Sequence, residues 1–347
     1  MNKVKLISYL LLILTCVMAS AFADNIVIFG DSLSDAGYQT GISKNIKGME
    51  WPKIPPDYIN DKAPTYSSVE PYNQSTVWPI FSFDATPNTY NTPPENINGA
   101  VQSPPLYGSD YAAGGAVTTC TGIGTTIVDG KGILYNPPPV GPLRPDSEPC
   151  RDTDIDKYNQ IGNYLALHNN QANKYTKYII WAGANNIFKD PSIISAQNAA
   201  KDIAYDVKYL REHGASPKNI FVINMPSLGI TPLAISIKKV DKFNALSAVF
   251  NTTLVSLAKE DDFRIIDVDN DVFKKIVKDN KITIDGKLYA FSNVIDGACA
   301  TGPKEPNELT CIPNKPNVQK YLFEGNVHPT AYTQYILGKF IKGKIYD

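Results

Sequence analysis

Histidine is scarce in this chain of 347 residues, with three in all, and charge is thin: 33 basic residues face 34 acidic ones, with no block of either sign. A balance of this kind excludes the basic stripe that nucleic-acid binding needs. Neither a Cys-x-x-Cys pair nor the Cys/His spacing of a zinc site occurs, and no phosphate-binding glycine loop or nucleotide motif stands out. No metal and no cofactor are therefore expected. Long apolar runs are missing as well, except at the start of the chain.

That exception has three parts. Lys3 and Lys5 precede an apolar run over 6–17, and Ala21-Phe22-Ala23 then stands before Asp24. This is the pattern of a secretory signal peptide over residues 1–23, with cleavage expected after Ala23. The run is too short for a comfortable membrane span, so residues 24–347 are expected to be secreted or periplasmic and not integral to a membrane. Thr15 before Cys16 argues against lipidation, because a small residue is expected there. Loss of Lys3 and Lys5 leaves 31 basic against 34 acidic residues, a formal charge of −3.

Four cysteines remain after that cleavage: Cys120, Cys150, Cys299 and Cys311. An even number in an exported chain points to disulfides, and four cysteines allow three pairings. The local pairs, Cys120 with Cys150 and Cys299 with Cys311, are the expected ones, because each closes a loop rich in Gly, Pro and polar residues. Free or metal-bound thiols are the alternative.

Hydrophobic residues make up 43% of the chain, enough for a sizeable core. Asn25-Ile26-Val27-Ile28-Phe29, 177–182, 219–224 and 263–268 read as buried strands. Between them, 155–170, 192–213 and 239–259 read as helices, the second with apolar residues at three- and four-residue steps: Ile193, Ala196, Ala200, Ile203, Val207, Leu210. A further helix closes the chain through Ile341. Strands alternating with helices predict an α/β domain with a parallel sheet covered on both faces. Residues 41–107 show no period; their Pro, Asn and Tyr content reads as long loop insertions. Trp51, Trp78, Phe81 and several tyrosines there either wall a groove for an acyl chain or pin the loops to the core.

Phe29-Gly30-Asp31-Ser32-Leu33-Ser34-Asp35 stands where the first strand turns toward a helix. A serine there either caps the helix or presents a nucleophilic hydroxyl beside a backbone N–H. A serine nucleophile needs a base, and histidine is the usual one. His168 and His213 fall near helix ends among polar residues, a surface pattern. His328 lies in a turn between apolar segments, where the competing reading is a buried, hydrogen-bonded histidine.

Five segments together make the chain resemble the secreted bacterial GDSL, or SGNH, hydrolases, in particular their phospholipase and acyltransferase branch. They are Gly30-Asp31-Ser32-Leu33, Ala113-Gly114-Gly115-Ala116, Gly183-Ala184-Asn185-Asn186, the stretch 224–232 beginning Asn224-Met225-Pro226, and Val327-His328-Pro329-Thr330. The resemblance implies one three-layer α/β/α domain over residues 24–347. It also implies a serine esterase working through an acyl-enzyme, with Ser32 as nucleophile and His328 as base. The oxyanion donors it implies are the backbone N–H groups of Ser32 and Gly115 and the side-chain amide of Asn185.

Two positions depart from the family pattern. Asn186 replaces the aspartate that usually ends the third block, and Gly325 occupies the slot of the aspartate that usually orients the histidine. Glu324 is the expected substitute, with Asn326 or a backbone carbonyl as alternatives. The implied substrates are fatty-acyl esters of lysophospholipids or phospholipids at membrane surfaces, with acyl transfer to an alcohol as a further outcome. A carbohydrate acetylesterase and a catalytically silent lipid-binding relative are the competing functions. Related secreted acyltransferases further suggest that an activating protease acts on the loop 299–311; a passive staple is the alternative.

Overall fold

Four short apolar segments line up as one parallel sheet in the computed structural model, which describes residues 26–34, 78, 82, 110–112, 116–118, 160–301, 309–311 and 320–347. They are β1 (Ile26–Gly30), β2 (Lys177–Trp181), β3 (Ile220–Ile223) and β4 (Arg264–Ile266), in the spatial order β1-β2-β3-β4. Ile28 of β1 also bridges in parallel to Asp110 on the opposite side from β2. Every residue of β1 and β3 is buried, as expected of strands covered on both faces.

Alternation along the strands divides their side chains between two cores. Val27, Phe29, Tyr178, Ile180, Ile220 and Val222 face one cluster; Ile26, Ile28, Ile179, Trp181, Phe221 and Ile223 face the other. The first cluster is closed by α1 (Gln160–Leu167), α3 (Ile193–Glu212) and α5 (Val240–Asp261). α2 (Ala184–Lys189) and α4 (Pro232–Ser236) are short helices following β2 and β3. The second cluster is closed by α6 (Lys274–Asp279) and the last helix, α7 (Ala331–Tyr346). The result is the expected α/β/α arrangement in a single domain.

Helix α3 follows its apolar period with two departures. Ser192 caps it, accepting from the Ser195 N–H at 3.1 Å, but Ile193, counted in the apolar stripe, is 59% exposed at the first position. Asp202 and Asp206, four residues apart, are buried on the core side instead.

Additional strands extend the C-terminal third. β5 (Lys281–Ile284) and β6 (Lys287–Ala290) form a hairpin around Asp285 and Gly286, both with positive φ. An Asp-Gly pair between alternating apolar residues is a strong hairpin signal. β7 (Asn293–Gly297) pairs in parallel with β10 (Tyr321–Phe323). β8 (Cys299–Thr301) and β9 (Leu309–Cys311) form an antiparallel ribbon whose register sets Cys299 opposite Cys311. Residues 1–23, Cys120 and Cys150, and the loop insertions other than Trp78 and Ser82 lie outside the described residues. Among the described residues, no helix is long and apolar enough to cross a membrane.

Candidate active site

Ser32 sits on a turn that is fixed from several sides. Asp31 N–H donates to the Trp181 carbonyl at 3.2 Å, Ser34 N–H to the Asp31 carbonyl at 3.0 Å, and Leu33 N–H to Asp31 Oδ1 at 3.0 Å. The Gln160 amide grips Gly30 in both directions, accepting from its N–H and donating to its carbonyl, each at 2.8 Å. Glycine is required at position 30 because a Cβ there would stand 2.4 Å from the Trp181 carbonyl oxygen. Trp78 is fully buried against Trp181 and donates its indole N–H to Ser34 Oγ at 3.1 Å. It therefore pins the turn, the second of the two roles open to the loop aromatics.

His328 arrives on a tight reversal after β10. Phe323 bridges to Pro329, Glu324 N–H donates to the His328 carbonyl at 2.8 Å, and Thr330 N–H donates to the Leu322 carbonyl at 3.0 Å. Thr330 also caps α7, accepting from the Thr333 N–H, and donates its hydroxyl to the Tyr321 carbonyl. This anchoring brings His328 Nε2 within 2.8 Å of Ser32 Oγ, although 296 residues separate the two in sequence.

Asn185 lies in the first turn of α2, and the pocket that Ser32 and His328 line is lined by Asn185 as well. Its side-chain amide donates to the Ala116 carbonyl at 2.9 Å. That bond takes one of the two amide hydrogens and leaves the second for a ligand. Gly183, which caps α2, has φ 114°, and a Cβ on it would meet Phe250 at 2.7 Å. Backbone conformation and space both demand glycine at that position. Gly114 and Gly115 lie outside the described residues.

The sequence matches the GDSL-like lipase/acylhydrolase family over residues 26–341. The chain belongs to this family. Solved structures similar to this GDSL hydrolase include a G-D-S-L lipolytic protein from Veillonella parvula, with 11% identity, 93% of this chain and 97% of that one covered, and a TM-score of 0.40. A carbohydrate acetylesterase from Sinorhizobium meliloti shows 14% identity, coverage of 93% and 98%, and a TM-score of 0.38. An extracellular lipase from Streptomyces rimosus shows 13% identity, coverage of 93% and 97%, and a TM-score of 0.37. No curated protein matches the sequence.

Burial dominates the electrostatics of this hydrolase site. It holds the His328 imidazole down at about 4, well under its ordinary 6.5, so the ring is neutral at neutral pH. Burial also pushes the Glu324 carboxyl up from 4.5 to about 7. Among the described residues no hydrogen bond joins the Glu324 carboxyl to the His328 ring; their bond is the backbone one across the turn. The structure thus brings Ser32, His328 and Asn185 to one pocket and sets Glu324 on the same turn as His328, without an observed contact between carboxyl and imidazole.

Asn186, the departure in the third block, has a structural use. Its Oδ1 accepts from Thr118 N–H and its Nδ2 donates to Thr118 Oγ1, both at 3.0 Å. The Thr118 hydroxyl in turn donates to Asp202 Oδ2 at 2.8 Å. An amide satisfies both groups of Thr118 at once, which a carboxylate, having only acceptors, cannot. Asp206 lies behind this chain with both carboxyl oxygens buried and unpartnered. Burial, and then the charge of Asp202, raise its pKa well above the usual carboxylate range. Gln160, Thr118 and Asp202 are the supporting residues that sequence reasoning missed as parts of the site.

Proposed function

We propose that this chain is an exported serine esterase that cleaves fatty-acyl esters of lysophospholipids or phospholipids. The observation that carries the chemistry is the 2.8 Å approach of Ser32 Oγ to His328 Nε2 beside the Asn185 amide. A neutral imidazole accepting at Nε2 takes the serine proton as Oγ attacks the ester carbonyl carbon. The oxyanion that forms receives hydrogen bonds from the Ser32 N–H and the free amide hydrogen of Asn185, with Gly115 N–H as the expected third donor. Collapse of this intermediate breaks the ester bond, and His328 returns its proton to the departing alcohol. Water then repeats the sequence on the acyl-enzyme and releases the fatty acid; an alcohol in place of water gives acyl transfer.

The tautomer required by this scheme carries a proton on Nδ1. Glu324 is proposed as the group that steadies that proton when the ring becomes positively charged. Its place on the same turn supports the role, and such bonds often tighten only once substrate is bound.

The preference for a fatty acyl group over acetyl rests on the walls of the pocket. Leu33, Phe188, Leu228, Ile230, Phe273 and Phe323 line it together with Ser32, Asn185 and His328, and the pocket opens to solvent. Apolar walls of this kind gain by removing methylenes from water, about 0.8 kcal/mol for each one buried. Export rests on the signal-peptide pattern of residues 1–23. The pairing of Cys299 with Cys311 is supported by their opposed positions in the β8–β9 ribbon.

A panel of lysophospholipid, diacyl phospholipid and acetylated sugar tests the reading. Fatty acid release from the phospholipids, with Ser32 labelled stoichiometrically by a fluorophosphonate, is expected. Cleavage of the acetylated sugar alone would overturn the acyl preference, and an unlabelled Ser32 would overturn the chemistry.

A further inference from the structure

The wall of the pocket continues directly into the most apolar and basic exposed run of the described chain. Ile230 and Thr231 line the pocket, and the next turn is held to the histidine loop by Leu233 N–H donating to the Asn326 carbonyl at 2.8 Å. Beyond it, all eight residues from 235 to 242 are exposed: Ile235-Ser236-Ile237-Lys238-Lys239-Val240-Asp241-Lys242. Ile235, Ile237 and Val240 are 38%, 47% and 36% exposed. Three lysines and one aspartate give the run a local charge of +2, in a chain whose whole formal charge is −1. None of the three lysines has an ion-pair partner among the described residues.

This projection is firmly built. Ile237 N–H donates to the Leu233 carbonyl at 3.0 Å, Lys238 N–H to the Ile235 carbonyl at 3.1 Å, and Lys239 N–H to the Ala234 carbonyl at 2.8 Å. Lys238 takes a positive φ of 56°, which ends α4 sharply and turns the chain into α5. Exposing three large aliphatic side chains on a braced tip has a cost in water, and among the described residues the lysines around them meet no acidic partner. A surface that offers both an apolar interior and negative headgroups satisfies both requirements.

We infer that the 235–242 tip docks this hydrolase on the surface of an anionic phospholipid bilayer, with the isoleucines entering the headgroup boundary and Lys238, Lys239 and Lys242 meeting lipid phosphates. This inference rests on the lipid-esterase reading above and adds the surface by which the pocket reaches its substrate. α4 is one helical turn long, so the tip stands within about 10 Å of the pocket wall. A docked tip therefore sets the mouth of the pocket at the depth where acyl esters lie.

Full-length Ser32→Ala protein, mixed with vesicles and sedimented, tests binding without turnover. Vesicles of phosphatidylcholine with 30% phosphatidylglycerol should bind at least tenfold more protein than phosphatidylcholine alone, and added salt should weaken the binding. Replacing all three lysines with glutamine should lower binding to the anionic vesicles by roughly 100-fold, at about fivefold per lysine. Ile235→Ser with Ile237→Ser should lower it on both kinds of vesicle.

In the Ser32-containing enzyme, the same changes should leave hydrolysis of a soluble butyrate ester within about twofold while reducing hydrolysis of vesicle phospholipid in step with binding. Equal binding by the lysine variant, or equal binding to both kinds of vesicle, overturns the docking surface. An inactive parent enzyme on the soluble ester overturns the esterase reading instead, and vesicle binding by Ser32→Ala is measured independently of it.

Discussion

Glu324→Gln separates what burial does to this carboxyl from what the carboxyl does for His328. Burial raises Glu324 from 4.5 to about 7, so between those values the folded chain keeps a proton that the unfolded chain has released. The stability contributed by this group is full below pH 4.5 and is lost as pH rises through 7. A shift of that size corresponds to about 3 kcal/mol. Glutamine does not ionise, so the variant escapes the loss. Its stability relative to wild type should therefore rise between pH 4.5 and 7 and level off up to about 3 kcal/mol higher, read from urea midpoints at pH 4.5, 6, 7 and 8.

The kinetic result should run the other way. If the Glu324 carboxylate steadies the imidazolium, wild-type kcat/KM for a soluble ester climbs toward pH 7. The variant loses that climb and about 10²–10⁴-fold in rate. A variant that keeps near-normal rates and the same climb, beside an inactive His328→Ala, would refute the acid role. Lower stability than wild type at pH 8 would refute burial as the cause of the shift.

Asn185→Ala should lose about 10²–10³ in kcat, while loss of its bond to the Ala116 carbonyl costs only about 1 kcal/mol in unfolding, because the proposed role of the amide is toward charge that develops only during reaction. Thr118→Val strips Asp202 and Asn186 of a shared partner and should cost about 2–3 kcal/mol in chemical denaturation, with Thr118→Ser restoring most of it. Peptide mapping of alkylated, unreduced protein should recover Cys299 linked to Cys311. Reducing that bond should lower stability by about 3 kcal/mol in the chain-entropy model. A Cys299 link to Cys120 or Cys150 would refute the local pairing.

The parallel sheet and its long helices are legible in the sequence because apolar runs and three- and four-residue periods reflect burial directly. Ser32, Asn185 and His328 are legible for a different reason: each stands at an abrupt end of a strand or in a turn, where a polar residue has a task. The supports are less visible. Gln160 reads as an ordinary helix residue until its amide is seen to hold Gly30 from both sides. Asp202 is invisible to a periodicity that counts apolar residues; its carboxylate is met by Thr118, 84 residues away in sequence. Whether the Glu324 carboxyl meets the His328 ring depends on side-chain torsions, which spacing along the chain does not determine.

Ser32 follows the first strand of the sheet, and His328 stands on the last reversal before the closing helix. A chain still lacking its final forty residues has the serine but no base to take its proton. On the proposed serine-esterase reading, competence therefore waits for the C-terminal segment that brings His328 to Ser32. This ordering is protective on the lipid-esterase reading proposed above: until the C-terminal segment is in place, the chain has no assembled site to turn on the lipids around it.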